Sequence, residues 1–160
     1  MGPEELTNLL WRERELLDLL VFKLDEEQLI LQSGKTRWLD HATREVGHVM
    51  DRLRAASLER AAVASAVAQA WGLAEDATLQ DLATAGADGP WGDILSAHFA
   101  ALTTQVDQVR SLRDTNLQFL RAGLRSAQET IAGLVPDAGT YDHLGHTNQD
   151  PGSRFLDRSV

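Results

Sequence analysis

The chain has 160 residues, no cysteine and a formal net charge of −9 from 24 acidic and 15 basic side chains. That length holds one domain with a modest core, and the absence of cysteine excludes a disulfide framework, thiolate zinc sites and a cysteine nucleophile together. The acidic balance, with no Lys/Arg cluster, argues against nucleic acid as a partner, since displacing phosphate counterions needs a basic face.

The N-terminus, Met1-Gly2-Pro3-Glu4-Glu5, is acidic where a secretory leader is basic. No apolar run approaches the roughly 18 residues of a membrane span, so no membrane insertion is expected. Pro3 suits the first turn of a helix, where its missing N–H costs nothing, and Glu4 and Glu5 complement the positive end of the helix dipole. Leu6, Leu9, Leu10, Leu16, Leu17, Leu20, Leu24 and Leu31 then recur at helical spacing, with Leu10, Leu17, Leu24 and Leu31 in a strict heptad. The pattern predicts a long amphipathic helix that closes at Ser33-Gly34.

From Thr36 to Trp71 a second helix is expected. Leu39, Val46, Leu53 and Val67 hold one heptad position, with Arg60 as the exception. Ala42, Val49, Ala56, Val63 and Ala70 hold the other. So regular a seam predicts knobs-into-holes packing against a neighbouring helix. Gly72 ends it. In the connector, residues 73–90, Thr78 and Asp81 stand at capping-box spacing and predict a short helix to about Ala85. Gly86, Gly89 and Pro90 break the chain again.

A third long helix is expected from about Trp91 to Leu134. Leu95, Phe99, Leu102, Val106 and Val109 set its first stripe; Leu117, Leu120, Leu124, Ala127, Ile131 and Leu134 resume the rhythm out of phase. The step from Val109 through Arg113 to Leu117 reads as a stutter, with Asn116 at the junction. Beyond Pro136 the composition turns to Gly, Asp, His, Asn, Pro and Ser, too polar to build a core. The expected organisation is thus all-α: an antiparallel bundle of three long helices with coiled-coil-like packing and one short connector helix over 1–135, followed by a flexible tail, 136–160.

Few residues suggest chemistry. His41, Glu45 and His48 project from one stripe of the second helix, and such a set can ligate a divalent metal. They lie off the apolar seam, however, and a carboxylate-bridged di-metal bundle needs a second Glu-x-x-His pair that the sequence lacks. A solvated polar face is the expectation, with no metal and no cofactor. Asp25-Glu26-Glu27 likewise reads as a solvated charge run. The four tryptophans fall near helix ends and read as caps on the bundle. No nucleophile elbow, phosphate-cradling loop or gathered carboxylate pair is present, so no catalytic residue is expected.

The third helix is the informative element. At 1.5 Å per residue it runs roughly 66 Å, well past a first helix of about 30 residues. The stripe Leu117, Leu120, Leu124, Ala127, Ile131 and Leu134, with Phe119 beside it, is therefore expected to stay partly uncovered. Uncovered apolar surface marks a partner site unless a second copy or the folded-back tail covers it.

The run Leu10-Trp11-Arg12-Glu13-Arg14-Glu15-Leu16-Leu17 leading into Leu24-Asp25-Glu26-Glu27-Gln28, the turn Leu31-Gln32-Ser33-Gly34-Lys35, the Asn116…Leu120…Leu124 run and the element Thr140-Tyr141-Asp142 together resemble the FlgN family of flagellar export chaperones, of the type found in high-GC Gram-positive bacteria. The connector at 73–90 is longer than in the simplest members. The resemblance implies a cytoplasmic chaperone for type III export. Its clients would be the C-terminal helical segments of the hook–filament junction proteins FlgK and FlgL, kept apart until export, and its second partner the export gate protein FlhA. The exposed stripe from Leu117 to Leu134 is where such a client helix is expected to lie, and the resemblance implies a docking role for Tyr141, for which packing back onto the bundle is the structural alternative. Such a protein is monomeric or a weak homodimer. The other reading of the same pattern is a structural coiled-coil protein that self-associates stably through the stripe.

Overall fold

A computed structural model describes residues 2–134, together with 141–142 and 146–147. The elements are α1 (Pro3–Ser33), a single 3-10 turn (Thr36–Trp38), α2 (Leu39–Ala70), α3 (Leu79–Ala85), α4 (Pro90–Leu134), β1 (Tyr141–Asp142) and β2 (His146–Thr147). The all-α expectation holds: three long helices and one short one. Two compact units are present, Met1–Phe119 and Leu120–Val160.

Local chemistry sets the ends of the helices. Pro3 occupies the first turn of α1, and Gly34 closes it in the left-handed conformation with φ of 74°. That conformation penalises a Cβ, so glycine is the residue suited to it. Gly72 does the same after α2 with φ of 77°. There the amides of Gly72 and Leu73 donate back to the carbonyls of Gln69 and Ala68. Before α3 the expected capping box is complete. The Asp81 amide donates to the Thr78 hydroxyl at 3.1 Å, and the Asp81 carboxylate accepts from the Thr78 amide at 2.9 Å. The Thr78 amide and hydroxyl both donate to the Asp81 carboxylate and hold it below its usual range, the amide contributing most.

In the first unit α2 runs antiparallel to α1, while α4 runs parallel to α1. Leu6 and Leu10 share a cluster with Val63, Val67 and Leu95, and Leu20 and Leu24 share the next with Val46 and Val49. The first cluster is roofed by Leu82 and Ala83 of α3, with Trp71 and Trp91 packed against it. Both residues thus cap that end of the bundle. Close approach is required where α3 meets α4: a Cβ on Gly92 would lie 2.7 Å from the Ala87 Cα.

Polar layers alternate with these apolar ones. Glu13 is buried on α1 and accepts from Arg60 Nε at 2.6 Å, from Arg60 Nη2 at 3.3 Å and from the Ser57 hydroxyl. Arg60 breaks the α2 heptad because it serves a carboxylate 47 positions away. Further along, Gln105 Nε2 donates to the Arg14 carbonyl at 3.0 Å and to Asp18 at 2.6 Å. At the far layer Asn116 Nδ2 donates to the Leu24 carbonyl at 3.0 Å and to Glu27 at 2.9 Å, while the Thr43 hydroxyl donates to the other Glu27 oxygen at 2.9 Å.

Two expectations are corrected by these layers. Glu27 is buried rather than part of a solvated run. It carries hydrogen bonds from two other helices, which offset the cost of removing its charge from water. Nor does the α4 seam break at Arg113. The seam facing α1 and α2 runs Leu95, His98, Leu102, Gln105, Val109, Leu112, Asn116 in unbroken three- and four-residue steps, all buried or half-buried. Phe99 falls outside it, 38% exposed. The seam was hidden because three of its seven positions are polar.

Of the second unit, the described residues are the end of α4, 120–134, all of them exposed, and the two strands. Tyr141 and Asp142 pair antiparallel with Thr147 and His146. The rest of the expected tail lies outside the described residues.

Candidate functional site

α4 supplies the candidate surface. In the first unit Leu117 is exposed and Phe119 half-buried; in the second, Leu120 and Ala127 are exposed, and Leu124, Ile131 and Leu134 stand 60%, 62% and 76% open to solvent. Helical spacing puts Leu120, Leu124, Ala127, Ile131 and Leu134 on one stripe. Arg121 lies along one edge of it, while Arg125 and Glu129 project from the far side of the helix. Each large aliphatic side chain on the stripe would gain roughly 1.5–3 kcal/mol on full burial against a partner. Gly123 adds no bulk beside it, and a Cβ there would meet no other atom. Such a surface accommodates an apolar face of another helix, with a carboxylate suited to Arg121 at its edge.

Tyr141 is placed through its backbone, as the first residue of β1. Its side chain lies outside the described residues, and so does any contact it makes.

The residues weighed for metal binding are separate in role. His41, Glu45 and His48 are exposed on α2. The His41 ring tilts against Trp38 at 5.8 Å, and Glu45 accepts from Lys23 at 3.2 Å. That bond to Glu45, with help from Glu26, holds the Lys23 ammonium above its ordinary value despite partial desolvation. Among the described residues no three His, Cys, Asp or Glu side chains are grouped to hold a metal ion. Among the described residues the one buried histidine is His98, whose ring meets Trp11 edge-on at 5.1 Å, with Nδ1 3.4 Å from Arg14 Nη1. Burial, and then the Arg14 charge, push its pKa down.

A second exposed apolar feature was missed in the sequence. Trp11, Phe22 and Leu29 of α1 are 51%, 58% and 66% exposed. Their spacings of 11 and 7 residues return to nearly the same helix angle. The signal was available, but the stronger leucine heptad on the opposite face obscured it.

Among the described residues no helix is long and apolar enough to cross a membrane. No curated protein and no solved structure matches the chain. One family model does match, described as FlgN protein, and it covers residues 1–149. Nearly the whole of the helical architecture falls inside that match, and with it the exposed stripe of α4. The chain belongs to the FlgN family of flagellar export chaperones.

Proposed function

We propose that the protein binds the C-terminal helical segments of the hook–filament junction proteins FlgK and FlgL in the cytoplasm. It keeps them from associating before export and delivers them to the export gate protein FlhA. The observation that carries this reading is the open aliphatic stripe from Leu120 to Leu134. An amphipathic client helix laid on it covers both apolar faces at once. The protein acts by binding alone, as a non-enzymatic chaperone without a cofactor. Tyr141 is the proposed docking point for the gate, a role resting on the family resemblance of the Thr140-Tyr141-Asp142 element.

Titration of client C-terminal segments into the full chain tests the client surface. Replacing Leu120, Leu124 and Ile131 together by Glu is expected to weaken binding about a hundredfold or more, with the helical circular dichroism unchanged. Retention of client affinity by that variant would remove the stripe from the reading. For the gate, Tyr141→Ala is expected to abolish capture by the cytoplasmic part of FlhA while leaving client affinity intact.

A further inference from the structure

α4 is held to its neighbours in the first unit less firmly than they are held to each other. α1 and α2 bring their backbones close together, while α4 keeps a wider spacing from both. Side-chain bonds also tie α1 to α2 along their length, from Arg12 to Glu59, Arg60 to Glu13, Lys23 to Glu45 and Thr43 to Glu27. Of the residues of α4, only Gly92, Leu95, His98 and Asn116 are buried. From His98 to Asn116, roughly 27 Å of helix, the apolar members of its seam are the half-buried Leu102, Val109 and Leu112.

The polar members of that seam are incompletely served. Arg14 Nε, Gln105 Oε1 and Asn116 Oδ1 are buried and find no hydrogen-bond partner on the protein, and all three lie where α1 meets α4. A buried polar contact satisfied only in part favours its own separation, because the parted groups can bond to water. Thr103 and Thr104 mark where the helix can bend. Their hydroxyls donate to the carbonyls of Phe99 and Ala100 at 2.9 Å and 3.1 Å, a bond that loosens the helical ladder and often bends it. Before this pair, Leu95 is anchored in the first apolar cluster; beyond it, Val109 and Leu112 only lie against the second.

We propose that α4 from Gln105 to Phe119 is a hinged leaf, which swings off a persisting α1–α2 hairpin about Thr103-Thr104 and uncovers the groove Leu20, Leu24, Val46, Val49 for an amphipathic client helix. The occupant follows from the floor of the groove. That floor is aliphatic on both helices, while the leaf meets it with Gln105 and Asn116 interleaved among Val109 and Leu112. A helix with aliphatic residues at all four of these steps covers more apolar area than the leaf does. The opening stands on the packing alone. Its use by a client rests on the function proposed above, and adds a groove within the first unit to the open stripe.

Thiol labelling of the full chain tests the leaf, since the chain has no cysteine of its own. Val49 and Val63 hold the same heptad position on α2 with 5% and 3% exposure, one in each apolar cluster. Val49→Cys is expected to react with a small thiol reagent at least about tenfold faster than Val63→Cys. Global unfolding exposes both positions alike, so the excess reports the leaf, and the two rates should converge in urea. Gln105→Leu removes an unpartnered oxygen and adds aliphatic contact, and is expected to slow the Val49→Cys reaction about fivefold or more. Leu112→Ala is expected to speed it by about as much, and Val63→Cys should respond less to either change. Circular dichroism checks that each variant is folded. Equal labelling at the two positions, or a Val49→Cys rate indifferent to both substitutions, would overturn the leaf. A client that needs the open form binds more weakly in proportion as that form is scarcer. Gln105→Leu is therefore also expected to weaken client affinity by the factor by which it slows labelling. Unchanged client affinity in that variant would overturn the groove as a client site and leave the stripe from Leu120 to Leu134 as the client surface. Labelling is measured without client, so a wild type that binds no client segment ends the proposed function and leaves the leaf standing.

Discussion

Glu13 shows what a buried charge requires. It is nearly inaccessible on α1 and is served by two Arg60 nitrogens and the Ser57 hydroxyl. Arg60→Leu would leave the carboxylate without its counter-charge in a place water barely reaches. The expected cost is about 2 kcal/mol, at the lower end for a broken buried pair because Arg60 is itself partly exposed. Converting both residues to Leu should recover most of that loss, and urea denaturation of the single and double variants measures it. His98 gives a pH-dependent counterpart. Burial and Arg14 lower its folded pKa beneath the ordinary value of 6.5. The unfolded chain therefore takes up the proton first, so stability is full above that value and falls as pH drops through it. Between about pH 7.5 and about pH 5.5 the urea midpoint of wild type should fall more than that of His98→Gln. Equal falls would mean that His98 does not contribute to the pH dependence.

At the level of elements, the helix junctions depend on a few small residues. Gly92 sits in the first turn of α4, where its amide donates to the Gly86 carbonyl at 3.0 Å. An added methyl would meet the Ala87 backbone, which cannot swing aside as a side-chain tip does. Gly92→Ala is expected to cost about 1–3 kcal/mol despite the better helix propensity of alanine, read from the thermal unfolding midpoint. Gly123 has the opposite environment, with open space around it. Gly123→Ala is expected to gain about 0.5–1 kcal/mol of local helix stability, visible as slower amide exchange along the end of α4. The same local chemistry made the elements readable in advance. The glycine closures at Gly34 and Gly72 and the Thr78/Asp81 capping box lie within a few residues of the structure they specify, and each formed where expected.

For the molecule as a whole, exposure separates surfaces that stabilise the fold from surfaces available to partners. Leu124, Ile131 and Leu134 are largely solvated, so their loss removes little buried area. Replacing Leu124, Ile131 and Leu134 together by Glu is therefore expected to keep the unfolding free energy within about 0.5 kcal/mol of wild type. A large destabilisation in urea titration would place the stripe in the core and not on a binding surface. Length, helix number and the leucine and alanine heptads were set by the sequence alone, because helical periodicity and end caps arise from neighbours three or four residues apart. Tertiary structure decided which polar side chains went inside. Asn116 is matched to Leu24 and Glu27, Arg60 to Glu13, and Gln105 to Arg14 and Asp18. Each partner lies tens of residues away, and a buried polar group is tolerated only where such a partner meets it. Hydropathy read along the chain carries no record of those meetings, and so it broke the α4 pattern at Arg113, where the folded protein carries its seam on to Asn116.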